Sequence, residues 1–232
     1  MNDAAISGSS TAGGRTVLLV GATGLVGSAC LRLLMADPTV SRVRTLTRRP
    51  LAQVPAAWNE QGKLAQQVVD FDGLEAHPAW LACSQVICAL GTTMRQAGSG
   101  AAFRRVDHDY VLNVARLALT QGASHFLVVS SMGADAQSAN FYYRVKGELE
   151  DGLKALGYPS LTIARPSLLL GERAEWRWGE ELGKRLGVLL PPRWRPIDAE
   201  QVAAALVQAS RLPDVGVRLL ENAQLKKIAL TP

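Results

Sequence analysis

Cysteine and histidine are scarce, with three of each in 232 residues. Cys30, Cys83 and Cys88 are odd in number, unclustered and set among apolar neighbours, a pattern that fits reduced, buried thiols better than a disulfide or a thiolate metal site. His77, His108 and His125 show no ligand spacing, so no metal is expected. Long hydrophobic runs are missing too: stretches such as LVVSSM and SLLLG fall far below the ~18 residues that span a bilayer. The leader MNDAAISGSSTAGG has neither a basic start nor an apolar stretch, so residues 1–14 read as a flexible tail and not as a secretory signal. These absences imply a cytoplasmic protein with no membrane partner. The net charge is +5, but Lys and Arg are scattered along the chain, so nucleic acid is not the expected partner and local anion sites account for part of the excess.

A hydrophobic content of 48% with 19% charged residues describes an ordinary globular domain. Short aliphatic runs recur at Val17–Val20, Val43–Leu46, Gln67–Val69, Gln85–Leu90, Phe126–Ser130 and Leu161–Ala164. Helical patterns fall at Gly24–Met35, Gly100–Thr120, Asn140–Leu156 and Ala199–Ser210, with a weaker one at Glu180–Leu186. Two-sided apolar strands alternating with helices imply an α/β fold of the Rossmann type, a doubly wound parallel sheet buried on both faces. Residues 15–232 are read as a single domain with a small C-terminal lobe formed mainly by 166–232. There the alternation fades into GERAEWRWGEELGKRLGVLLPPRWRP, whose Trp176, Trp178 and Trp194 with Arg177, Arg193 and Arg195 suit either an aromatic, anion-tolerant lid or an edge-packing or partner surface.

The stretch RTVLLVGATGLVGSACLRLL sets Gly21, Gly24 and Gly27 three apart where a strand runs into a helix. Gly21 suits a tight turn, Gly24 a close backbone approach to a pyrophosphate, and Gly27 close packing of helix on strand. Thr23, Leu25 and Val26 complete the loop and the first helical turn, whose N–H groups and dipole favour an anion. An NAD ribose would be met by an acid about 20 residues on. Thr47, Arg48, Arg49 and Pro50 stand there instead, and two guanidinium groups suit the 2′-phosphate of NADP(H), the alternative being a solvated Arg pair. Further sites follow at later strand ends: Asp70 for an adenine amine or a turn, Leu90, Gly91 and Thr92 beside the nicotinamide ribose, and Pro166 after the sixth strand.

In FYYRVKGELE, Tyr142 and Lys146 lie at i and i+4 on one helix face, whereas Tyr143 has Gly147 at that spacing and no amine beside it. Ser130 and Ser131 close the fifth strand eleven to twelve residues earlier. A phenol, an ammonium and a strand-end hydroxyl can converge on one carbonyl: Tyr142 protonates the oxygen as hydride arrives, Lys146 favours the phenolate and binds ribose hydroxyls, and Ser131 hydrogen-bonds the oxygen.

GATGLVG, SSMGA, YYRVK and ARPSLLLGER together resemble the short-chain dehydrogenase/reductase superfamily. ALGTTMRQAGS, FRRVDHDYVL and SSMGADAQSANFYYRVKGELE are similar to its atypical branch, which includes the Tat-interacting protein of 30 kDa. The resemblance covers nearly all of 17–173 and implies NADPH binding, a Ser131–Tyr142–Lys146 site and a variable C-terminal lobe, and it allows a homodimer through the helices at Gly100–Thr120 and Asn140–Leu156. The superfamily's proton-relay asparagine has no clean counterpart: Asp107 falls nearest its place, with Asn113 further along. The leading reading is an NADPH-dependent reductase of a small carbonyl compound. A nucleotide-sensing interaction protein stands second. A sugar-nucleotide epimerase or dehydratase stands third, because only 66 residues follow Pro166 to grip such a substrate.

Overall fold

The computed structural model describes residues 14–52, 54–170, 194–212 and 214–229. The chain runs β1 (Arg15–Val20), α1 (Leu25–Ala36), β2 (Val40–Thr47), α2 (Ala56–Glu60), β3 (Leu64–Val68), a 3₁₀ turn (Phe71–Ala76), α3 (Pro78–Leu81) and β4 (Gln85–Cys88). It continues through α4 (Met94–Ala97), α5 (Gly100–Arg104), a π-helical turn (Arg105–Asp109), α6 (Tyr110–Thr120), β5 (His125–Val129), α7 (Phe141–Ala155) and β6 (Ser160–Arg165). The short strands β7 (Leu169–Leu170) and β8 (Ile197–Asp198) then precede α8 (Ala199–Arg211), β9 (Gly216–Glu221) and α9 (Asn222–Ala229).

Seven strands form one sheet in the order β3-β2-β1-β4-β5-β6-β9, every neighbour parallel. The order reverses between β1 and β4, and at such a switch point a crevice opens beyond the strand carboxyl ends. Alternation along β1 shows why the sheet needs two helical layers. Val17 and Leu19 enter one core with Leu31 and Leu34 of α1 and Val202 and Leu206 of α8. Leu18 and Val20 enter the other with Val111 and Val114 of α6 and Leu149 and Leu153 of α7. The strands are therefore continuous apolar runs, as a sheet covered on both faces requires.

The doubly wound sheet matches the reading from sequence, with local corrections. The expected helix Gly100–Thr120 is interrupted by the π turn, which adds a residue to one turn and swings Asp107 into the interior. The third strand lies at Leu64–Val68 and not Gln67–Val69, because its register with β2 is set from Val43↔Leu64 onward. The fourth ends at Cys88, leaving Leu90 to the loop. Part of the expected C-terminal lobe belongs to the sandwich: α8 packs on α1, and β9 is hydrogen-bonded to β6. The expected helix Glu180–Leu186, the tail 1–13, and Trp176, Arg177, Trp178 and Arg193 lie outside the described residues.

Opposite the crevice, the buried carboxylate of Asp37 closes the amino edge. It accepts from Thr39 N–H and Thr39 Oγ1 at 2.9 and 2.7 Å and pairs with Arg15 at 3.2 Å and Arg211 at 3.0 Å. Burial opposes its charge, but the Thr39 hydrogen bonds and Arg211 hold it below the usual carboxylate range. All three cysteines are buried, and burial pushes each thiol up to about 12. Among the described residues no three His, Cys, Asp or Glu side chains gather as a metal site, and no helix is long and apolar enough to cross a membrane.

His125 begins β5 fully buried, its Nε2 2.9 Å from Thr162 Oγ1, and burial lowers it from 6.5 to about 4. It stays neutral in the fold while the unfolded chain takes up a proton below 6.5, so its stabilising share is complete above that pH and is lost as pH falls through 4. Up to about 3 kcal/mol is at stake. In urea titrations the stability gap between wild type and His125→Phe should change by about that amount from pH 7 to pH 4; a constant gap would refute the assignment.

Candidate nucleotide-binding and catalytic site

The glycine loop crosses the end of β4 at close quarters. Gly21 has φ of 85°, and a Cβ there would lie 2.4 Å from the Ala89 carbonyl oxygen. A Cβ at Gly27 would sit 2.0 Å from the Gly21 carbonyl oxygen, so α1 could not pack at this depth with any larger residue. Gly24 is looser, 3.3 Å from that oxygen, and caps α1 without a side-chain hydrogen bond; no acid stands in the first turn. The first-turn N–H groups and the positive helix end thus face the crevice without a competing carboxylate, which fits a pyrophosphate.

Around this loop, Arg48 and Arg49 are both exposed directly after β2, whose last residue, Thr47, is buried. Asp70 is also exposed, but one carboxylate oxygen accepts from Asp72 N–H at 3.0 Å and caps the 3₁₀ turn, so its turn-forming role is realised in the fold. Leu90, Gly91 and Thr92 leave β4 toward the crevice. Thr92 donates its N–H to Asp107 Oδ2 at 2.7 Å. Pro166 is buried, and its carbonyl accepts from Met132 N–H at 2.9 Å, joining the loops after β5 and β6.

Asn140 starts α7, its side chain accepting from the N–H groups of Tyr142 and Tyr143 at 2.9 and 3.4 Å. Tyr142 is half-buried, its ring centroid 5.4 Å from that of Phe103, whereas Tyr143 turns outward over Gly133. Lys146, one turn on from Tyr142, is 4% exposed and meets Asp107, 1% exposed, at 2.7 Å. Burial alone would lower Lys146, but the Asp107 charge and the Tyr142 phenol hold it above the ordinary lysine value. The Ser131 hydroxyl donates to the Met132 carbonyl at 3.1 Å and so is not aimed at Tyr142. Tyr142 and Lys146 therefore come together on α7, while Ser131 flanks them.

Three positions outside the expected site hold this arrangement. A Cβ at Gly147 would lie 2.1 Å from Ala136 N, so only glycine lets α7 touch the loop after β5. Buried Glu150 accepts from Ser130 Oγ at 2.6 Å and from Arg165 Nε and Nη2 at 2.9 and 2.5 Å, tying α7 to the ends of β5 and β6. Arg165 in turn reaches Glu221 at the end of β9, at 3.3 Å. The spacing of Glu150, four residues past Lys146 on the same helical face, was the available signal.

A parallel sheet of this order, with a glycine loop at the switch point, defines a Rossmann-type nucleotide-binding protein. Residues 21–213 match the model of the NAD(P)H-binding family, and the chain belongs to that family. It is 37% identical to the rat (Rattus norvegicus) protein HTATIP2 over 213 residues, covering 90% of this chain and 86% of that protein. It is 38% identical to the mitochondrial protein fmp52 of Emericella nidulans over 172 residues, 72% of each chain. These likenesses agree with the atypical short-chain dehydrogenase/reductase branch. Among solved structures, MoeE5 in complex with UDP-glucose and NAD superposes with a TM-score of 0.67 at 16% identity, over 89% of this chain and 75% of that one. The UDP-Glc/GlcNAc 4-epimerase of Campylobacter jejuni gives 0.68 at 12% identity, over 92% and 82%. At such identities the shared property is the fold.

The loop contacts separate two glycines that look alike in sequence. Gly27→Ala should lower unfolding stability by roughly 1–3 kcal/mol or more through overpacking. Gly24→Val should retain most of the melting temperature while losing the thermal shift given by dinucleotide. Equal stability losses in the two variants would remove the distinction.

Proposed function

We propose that the protein is an NADPH-dependent oxidoreductase that transfers hydride to a small carbonyl substrate. The observation that carries this reading is the pairing of Tyr142 with buried Lys146 on the α7 turn that faces the carboxyl edge of the sheet. The bound nicotinamide supplies the hydride. Gly21, Thr23, Gly24, Leu25, Val26 and Gly27 cradle the pyrophosphate with backbone N–H groups, and Arg48 and Arg49 fork onto the 2′-phosphate. Asp70 borders the adenine with its remaining oxygen, and Leu90, Gly91, Thr92 and Pro166 border the nicotinamide ribose. Lys146 holds the ribose hydroxyls. The phenol of Tyr142 delivers its proton to the substrate oxygen, and the positive charge of Lys146 stabilises the phenolate left behind. Ser131 supplies a second hydrogen bond to that oxygen after turning from the Met132 carbonyl, a rotation about one bond.

One specific observation favours the second reading, an NADPH-binding sensor with little turnover: the Ser131 hydroxyl is engaged by the chain itself. The epimerase reading rests on fold likeness alone. We place the protein in the cytoplasm, as a homodimer through α5–α6 and α7. The fungal relatives carry the label mitochondrial, so fractionation of cells decides the compartment.

Calorimetry should find NADPH bound at least about tenfold more tightly than NADH, a difference of ~1.4 kcal/mol, and replacing Arg48 and Arg49 by Ala should erase it. Tighter NADH binding by the unmodified protein would sink the NADP assignment. In a screen of aldehydes and ketones, Tyr142→Phe should slow NADPH oxidation on the order of a hundredfold while Tyr143→Phe stays within a few fold. Bound NADPH with no carbonyl reduced would favour the sensor.

A further inference from the structure

The geometry points to Asp107 as the positioning residue of Lys146: its carboxylate fixes the buried ammonium and ties it to the backbone of the loop leaving β4. This rests on the reductase reading, in which Lys146 meets the nicotinamide ribose. One Asp107 oxygen takes the Lys146 ammonium and the other takes the Thr92 N–H, both at 2.7 Å. The carboxylate therefore has a donor on each side and no room to turn. A Cβ at Gly91 would stand 3.2 Å from Asp107 Oδ1, so the loop packs closely on the pair at Gly91. The π turn explains how an acid reaches this depth, since an ordinary turn through Arg105–Asp109 would rotate position 107 along the helix surface.

The titratable groups that face Lys146 are few. Asp107 faces it from the π turn, Cys88 from the end of β4 and Tyr142 from its own helix. The next acid on α7, Glu150, is spent on Ser130 and Arg165. An ammonium buried without Asp107 would have no compensating anion, and it would lose its proton or its place. The pair leaves two of the three ammonium hydrogens for ligands, so Asp107 decides which way they point. It also links occupancy of the crevice to the loop: a ribose that draws on Lys146 acts, through one carboxylate, on the Gly91–Thr92 backbone.

The decisive substitution is Asp107→Asn, which keeps an oxygen for Thr92 N–H but removes the anion. In cofactor-free protein labelled at the lysine ε-carbons, with Lys146→Arg to assign the signal, the Lys146 resonance of the wild type should titrate above those of exposed lysines. In Asp107→Asn its midpoint should fall by at least about one pH unit. An unchanged midpoint overturns the pairing, and the wild-type titration alone does so if Asp107→Asn fails to fold and Lys146 titrates with the exposed lysines. The positioning role is read from a double-mutant cycle on NADPH affinity with Asp107→Asn, Lys146→Met and both. Asp107→Asn should change affinity at least about threefold in wild type and by less than twofold in the Lys146→Met background. Equal effects in the two backgrounds would mean that Asp107 acts on the loop by itself. The resonance arm needs neither cofactor nor turnover, so failure of the reductase reading leaves it decisive.

Discussion

One backbone carbonyl, that of Gly21, is the point around which the rest of the molecule is fitted. It accepts the Gly24 N–H at 2.9 Å, and it lies where a side chain at Gly27 would otherwise be. The Gly21 Cα faces the Ala89 carbonyl, just past the end of β4, at a separation that leaves no place for a Cβ. Turn, helix and two central strands thus share a volume that only glycine backbone can occupy. The depth at which α1 sits on the sheet follows from this, and so does the placing of its first N–H groups over the crevice.

Across the crevice the constraint is electrostatic. Glu150, Arg165, Ser130 and Glu221 form a chain of charged and polar groups through the ends of β5, β6 and β9, with α7 pinned to it by a buried carboxylate. Buried ion pairs of this kind add little net stability over apolar packing, but losing one partner costs about 3–5 kcal/mol because a charge is stranded. Their value here is alignment. Tyr142 and Lys146 are carried on the same helix, so the network that fixes its height on the sheet also fixes the phenol and ammonium relative to Ser131. The Asp37 cluster does the corresponding work at the other edge, joining β1, the end of α1 and the end of α8.

The parts of this arrangement that were legible in sequence are those with local causes. The glycine spacing, the helix beginning at Asn140, the apolar strands and the Tyr142–Lys146 spacing each reflect contacts within a turn or two of chain. The π turn was not legible, because one added residue barely disturbs the apolar periodicity of 100–120, and its reason is Lys146, some forty residues on. Asp107 could be placed only as the residue nearest the superfamily's asparagine, and its ion pair is visible only in three dimensions. β9 escaped because it is an edge strand: Val217 and Leu219 are exposed while Leu220 is buried, which reads as neither a buried run nor a clean alternation. Gly147, noted in sequence only for lacking an amine beside Tyr143, is the point of closest contact of α7.

The position of α8 has a consequence for synthesis. One face of the sheet is covered jointly by α1, near the start of the chain, and α8, which begins at Ala199. A nascent chain that has emerged only as far as β6 can pair β1 through β6 and cover one face with α6 and α7, but Ile87, Leu127 and Ala164 on the other face stay open to water. The nucleotide loop is made early, yet the layer beside it closes only when the residues from Ala199 onward arrive. Until then the half-clad sheet is the kind of surface that chaperones bind and that aggregates in their absence.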